Sequence, residues 1–252
     1  MYVRNYITIL INSTFICLFC CIVYLYCTLT HIDIMGKIVL TYWPLRGIAQ
    51  PIKWIMEYAN VDYEVREINF ETWTKEKPAL PLDYPNLPHI VDGDIKMSES
   101  MAICKYISRK CDLMPKTDEE IRNADMAEGA IIDFRILFFV LMFNTSYDTD
   151  KDQYPAQIKA KLVNFERVFT KQKWLVGNRI TWMDFVLYES LDVNSMFVPG
   201  ILDDFPKVKE YKNRIESFDK IAAYRKSGRF KAFPVTGGPA RWGKQAGETI
   251  YS

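Results

Sequence analysis

IVLTYWPLRGIAQPIKW, residues 38–54, runs from an apolar strand pattern directly into a helical one, with Tyr42, Trp43 and Pro44 at the join. Ile38 to Trp43 is an apolar run of strand length, and Ile48, Ile52, Ile55, Met56 and Ala59 recur at helical spacing. DYEVREINF at 62–70 alternates like a strand, so the three segments predict a βαβ unit. HIVDGDIKM at 89–97 reads as two short strands around an Asp92-Gly93 hairpin turn, and SESMAICKYISRK at 98–110 as a helix. The order β-α-β-β-β-α predicts a right-handed crossover with the first two strands parallel and the hairpin antiparallel. A thioredoxin-like domain over residues 37–112 is the economical reading.

Past the linker CDLMPKTDEE at 111–120 the strand patterns stop. Thr117 and Glu120 form a capping box that opens a helix to about Tyr147, and a second helix runs from Pro155 to about Thr170. A third begins at Thr181 in ITWMDFVLYESL, with Asp184 at N3 of another capping box and Ile180 placed as a staple. Pro206 opens a fourth. The fold class is therefore α/β plus all-α. A helical domain over 117–230 follows the α/β domain, and a tail over 231–252 is expected to be frayed and Gly-rich from Thr236.

Composition bounds the partners. The 252 residues are 49% hydrophobic and 25% charged, enough for one ordinary core or two small ones. A net charge of +1 from 32 basic and 31 acidic residues announces no basic face, which sets nucleic acid aside. Residues 5–30 carry no charge and are long enough to span a bilayer, which takes about 20 apolar residues. Two readings of the 1–34 extension stand side by side: a membrane anchor through residues 5–30, or an extraneous or dispensable segment ahead of an alternative start at Met35. Four of the six cysteines lie in that run, leaving Cys104 and Cys111, which is no disulfide framework and points to a reducing compartment. Two histidines, His31 and His89, supply a zinc site or a His-based triad poorly.

In open α/β sheets ligands bind beyond the carboxyl ends of the strands, and Tyr42 ends the first one, where its phenol can donate a hydrogen bond. Glu99-Ser100 opens the last helix of the α/β domain, whose free N–H groups suit a carboxylate. Asn86-Leu87-Pro88 presents extended backbone with a proline suited to a cis peptide. Together they would hold a small, extended, anionic peptide.

The residues that carry these features, IVLTYWPLRGIAQPI, LDYPNLPHIVDGDIKMSESMAI, the region around MAEGAIIDFR, and ITWMDFVLYESLDV, resemble the cytosolic glutathione S-transferases, closest to the mu class and similar parasite enzymes. The resemblance covers nearly all of residues 37–245. It implies a thioredoxin-like domain followed by a helical one, a cytoplasmic homodimer, and glutathione as co-substrate with no other cofactor and no metal. Tyr42 matches the catalytic tyrosine that donates to the glutathione sulfur. Trp43, Trp73 and Lys77 match residues at the glycyl end, Asn86 and Leu87 the backbone clamp, Pro88 the cis-proline, and Glu99 and Ser100 the γ-glutamyl grip. Asp133 matches an acidic residue that reaches glutathione across the dimer, and Tyr84 the residue that plugs the partner subunit. Ile48, Phe143 and the tail near Arg241 to Trp242 are expected to wall the electrophile site.

The sequence also departs from the family pattern. Glu99 stands where mu-class enzymes usually carry Gln, and Phe143 where they often carry a second tyrosine, which puts epoxide and enone substrates in doubt. Only Glu71 and Thr72 separate INF from Trp73, so the mu-class loop is shortened. The resemblance implies conjugation of the glutathione thiolate to small hydrophobic electrophiles. A non-catalytic carrier of apolar ligands on the same fold is the alternative, and prostaglandin isomerisation a narrower enzymatic one.

Overall fold

The computed structural model describes residues 37–244. The 1–34 extension, the alternative start at Met35 and the last eight residues lie outside the described residues. Strand β1 (Ile38–Tyr42) leads through a 3-10 turn (Gly47–Ala49) into α1 (Gln50–Ala59), β2 (Tyr63–Glu67), α2 (Phe70–Glu76), the hairpin β3 (His89–Asp92) and β4 (Ile95–Ser98), and α3 (Ser100–Lys110). The sheet order is β2-β1-β3-β4. β1 pairs parallel with β2, from Ile38 opposite Tyr63 to Tyr42 opposite Glu67, and antiparallel with β3. This is the thioredoxin-like arrangement that the periodicity predicts.

Two local readings need correction. The second strand ends at Glu67, because the Asn69 side chain accepts from the Thr72 N–H at 2.8 Å and caps α2, a helix the alternation concealed. The hairpin turn is Gly93-Asp94, one residue later than expected: Asp92 pairs with Ile95, and Gly93 takes a φ of +58°.

The helical part comprises α4 (Asp118–Phe143), a single turn α5 (Tyr147–Asp150), α6 (Tyr154–Lys171), α7 (Trp182–Phe197), α8 (Pro206–Glu216) and α9 (Asp219–Lys226). Both predicted capping boxes are present, at Thr117/Glu120 and Thr181/Asp184. α4 stops at Phe143, short of Tyr147, where Asn144 turns extended and its side chain accepts from Ser146 N–H at 3.1 Å.

One continuous apolar core runs through both parts, from Ile38, Leu40 and Trp54 to Phe134, Tyr188 and Trp242. Trp54 of α1 packs edge-on against Tyr188 of α7 and Tyr224 of α9, with ring centroids 5.3 and 5.1 Å apart. Beside it the buried Arg46 guanidinium grips Glu189 with Nε and Nη2 at 3.0 and 2.7 Å and reaches Asp192 at 2.6 Å. Trp54 Nε1 donates to the same Glu189 carboxylate at 2.8 Å. Such pairing is what allows charge to be buried at all. The tail is not frayed through Lys244. Arg46 and Gly47 donate their backbone N–H to Pro234 and Val235 at 2.9 and 3.0 Å, and Trp242 is 1% exposed.

Candidate active site

β1 delivers Tyr42 to the edge of the sheet, where the chain leaves through Trp43-Pro44-Leu45 and turns at Gly47 into the helix. The Tyr42 ring is buried, 5% exposed, in a small cluster with Ala49, Ile68, Trp73 and Leu87. Its hydroxyl oxygen accepts from the Ile48 N–H at 3.2 Å, at the free N-terminal end of the 3-10 turn. An acceptor role toward Ile48 leaves the phenolic proton available to a ligand. Burial raises the phenol's pKa, while the Ile48 N–H and the nearby Arg135 charge pull it down; the net direction is up, so Tyr42 keeps its proton at neutral pH.

The residues assigned to the glutathione side converge. The Trp43 and Trp73 rings meet edge-on at 6.3 Å, and the Lys77 ammonium lies 5.6 Å from the centre of the Trp73 ring. Trp73 also stacks with His89 at 6.4 Å, a neighbour the sequence had left without a role. Burial lowers the pKa of that histidine. The Leu87-Pro88 peptide is cis, as expected. The Asn86 side chain accepts from the Leu87 N–H at 2.9 Å and donates to Glu99 at 3.2 Å. Glu99 precedes α3 with a φ of +71°, uncommon for a residue with a Cβ, and Ser100 begins that helix. Asp133 is exposed on α4 and pairs with Lys161 at 2.9 Å; it lies outside the cluster around Tyr42.

A cleft of about 590 Å³ opens at Tyr42, and Ile48 and Phe143 are among the residues that line it. The tail wall is different: Val235, Thr236, Gly237, Gly238 and Pro239 line the cleft. Trp242 is a core residue instead, packed edge-on against Phe138 and Phe197 at 6.1 and 5.1 Å. Its large apolar ring gains more from the core than from a wet wall. Phe70 and Phe139 also line it and were not foreseen. Phe70 had been absorbed into the strand pattern, and Phe139 sits one turn before Phe143 on α4, a signal that helical spacing could have supplied. None of the residues lining the cleft is charged.

Cys104 is buried on α3 and its thiol is pushed up to about 12 by burial, and Cys111 is also raised, so both are poor nucleophiles. Among the described residues no group of His, Cys, Asp or Glu could hold a metal ion, and no helix is long and apolar enough to cross a membrane.

Comparison with known proteins agrees with this geometry. The sequence profile of the "Glutathione S-transferase, N-terminal domain" matches residues 38–109, and that of the "Glutathione S-transferase, C-terminal domain" matches residues 132–228. Glutathione S-transferase Mu 5 of Mus musculus is 36% identical over 217 residues, covering 83% of this chain and 97% of the mouse protein. Glutathione S-transferase Mu 1 of Homo sapiens is 35% identical over 215 residues, covering 82% and 99%. The solved structure of the glutathione S-transferase Blo t 8 superposes with a TM-score of 0.76 at 30% identity, over 81% of this chain and 99% of that one. With a thioredoxin-like sheet, a helical second part, both profiles in chain order and relatives matched over nearly their whole length, the chain belongs to the glutathione S-transferase family.

Proposed function

We propose that this transferase conjugates the glutathione thiolate to small, uncharged, hydrophobic electrophiles, with Tyr42 as the residue that holds the sulfur as thiolate. The observation that carries the reading is Tyr42, its hydroxyl oxygen accepting from the Ile48 N–H, lining a cleft of mostly apolar and aromatic side chains with no charged one. A hydrogen bond to the charged form lowers a thiol pKa, and the thiolate is the nucleophile. Lys77 is assigned to the glycyl carboxylate beside Trp43 and Trp73, Asn86, Leu87 and Pro88 to the cysteinyl backbone, and Glu99 with Ser100 to the γ-glutamyl end. Ile48 and Phe143 are assigned to the electrophile. Phe143 brings no hydroxyl, which favours displacement reactions over additions that need a proton donor.

A homodimer fits the surface. Tyr84 is 75% exposed, and a groove of about 360 Å³ between α4 and α6, whose lining mixes Met126, Ala127, Phe165 and Val168 with Arg167 and Lys171, is the seat assigned to the Tyr84 of a second copy. Asp133 would then serve the partner's glutathione. The free thiols Cys104 and Cys111 support a reducing compartment, and the cytoplasm is the location assigned. The anchored alternative rests on residues 5–30 alone.

The test is conjugation of glutathione to a chlorodinitrobenzene by the wild-type chain and by Tyr42→Phe at neutral pH. A rate loss of roughly 10-fold or more, as for loss of one oriented donor, with glutathione binding retained is expected. Equal rates would make Tyr42 a packing residue. A folded wild-type chain that binds apolar ligands without turnover would favour the carrier alternative.

A further inference from the structure

Arg135, on α4 one turn before Phe139, is a half-buried arginine that makes no ion pair among the described residues. Its Nη1 lies 3.6 Å from the Met101 sulfur, and its guanidinium 6.0 Å from the centre of the Phe139 ring. Arginine is always charged and has five donors, so a half-buried arginine with no carboxylate in ion-pair contact is costly to keep. Arg135 lines a small cavity of about 30 Å³ with Gly47, Phe138, Phe139, Glu189, Ser190, Asn194 and Val235. Gly47, Phe139 and Val235 also line the main cleft, so the two cavities adjoin there. Gly47 is also the residue against which the Tyr42 hydroxyl packs: a Cβ there would lie 2.4 Å from that oxygen. The unpaired cation and the Tyr42 hydroxyl thus share Gly47 as a neighbour.

We propose that Arg135 is a positioning residue for the transfer reaction, its unpaired positive charge acting through Tyr42 to hold the glutathione sulfur as thiolate. This rests on the reading of Tyr42 given above. In the step concerned the sulfur–hydrogen bond breaks, the proton goes to solvent, and the electron pair stays on sulfur for attack on the electrophile. An opposite charge nearby favours the charged form of such a group. The other groups around Arg135 do not cancel it. Glu189 of α7 is occupied by Arg46 and Trp54, Asp192 by Arg46, Lys212 and Arg225, and Cys104 of α3 stays a neutral thiol. Ser190 and Asn194 are uncharged. Consistent with this, the Arg135 charge draws the Tyr42 phenol downward against the effect of burial.

The experiment is a pH titration of the ultraviolet absorbance of enzyme-bound glutathione thiolate in the full chain. Arg135→Gln should move the midpoint upward by about one pH unit, a tenfold loss of thiolate below the midpoint, while glutathione binding at high pH is retained. Arg135→Lys should restore most of the shift. Should Arg135→Gln fail to fold, Arg135→Met, which matches the apolar Met101, Phe138 and Phe139 around it, is read in its place. A folded Gln or Met variant with the wild-type midpoint overturns the proposal. Tyr42→Phe separates the two readings: if it abolishes the thiolate band and Arg135→Gln does not move it, only Arg135 is wrong, whereas a band unchanged in Tyr42→Phe removes the reading beneath.

Discussion

Gly47 carries the tightest constraint on the site at the residue scale. Its φ is +46°, and a Cβ would meet the Tyr42 hydroxyl at 2.4 Å and the Leu45 side chain at 2.7 Å. Gly47→Ala therefore combines a left-handed backbone penalty with a collision at the reactive group. We expect a destabilisation of about 1–3 kcal/mol and a loss of kcat/KM of roughly tenfold or more, since about 1.4 kcal/mol of misplacement is already a decade in rate. Gly93 is the matched control: its φ is +58° but nothing lies within 4 Å of an added Cβ. Gly93→Ala should cost about 1 kcal/mol in denaturant melts and leave kcat/KM at the wild-type value. Equal activity in the two variants would mean that the Tyr42 hydroxyl is not held by Gly47.

At the scale of the element, α7 is the helix on which the molecule depends. It is buried along nearly its whole length, and its N-terminus is fastened by Asp184. That carboxylate accepts from Thr181 N–H at 2.7 Å, Thr181 Oγ1 at 3.1 Å, Leu175 N–H at 3.1 Å and Tyr211 OH at 3.0 Å, with no exposure to water. Asp184→Ala leaves these donors unpaired in the core, and a loss of about 3–5 kcal/mol is expected, read as a shift of the urea midpoint. Asp184→Asn keeps most of the acceptor geometry and should lose less than half as much. The affinity of the folded fraction for glutathione should be unchanged, because Asp184 lies in the helical part, away from Tyr42. A loss under 1 kcal/mol in Asp184→Ala would show that the helix is held by packing alone.

For the whole molecule, the same α7 binds the two parts into one body through Glu189 and Asp192, the counter-ions of Arg46. Apolar side chains stay open on α4, where Ile132, Ile136 and Val140 are exposed at i, i+4 and i+8, and at Tyr84, as well as at Phe70, Ile95 and Val163 elsewhere. The proposed dimer covers such surface. Tyr84→Ala should raise the dimer dissociation constant at least tenfold, in line with the loss of a buried aromatic anchor, as seen by sedimentation velocity across a dilution series. A wild-type chain that sediments as a monomer at micromolar concentration would count against the dimer itself.

How much was legible follows from the range of each interaction. The βαβ unit, the hairpin, both capping boxes and the helical second part were readable because periodicity and caps are set by neighbours within a few residues. The residues assigned to the glutathione side came through motif resemblance, and the position of Tyr42 at the end of a strand was readable from periodicity. Helix α2 was missed because Phe70 continued an alternation that Asn69, a local cap, interrupts. Phe70 and the 235–239 wall could not be read as lining the cleft, Phe139 was overlooked although its spacing from Phe143 offered a signal, and Trp242 was misplaced. The sequence alone determined the order of strands and helices, their caps and the tyrosine at the strand end, since these are short-range consequences of side-chain pattern and backbone hydrogen bonding. Only the tertiary structure decided that Arg135 and Tyr42 both neighbour Gly47 and that the tail lines the cleft with its glycines while its tryptophan enters the core. Those outcomes depend on desolvation and close packing between segments far apart in the chain, which no local pattern encodes.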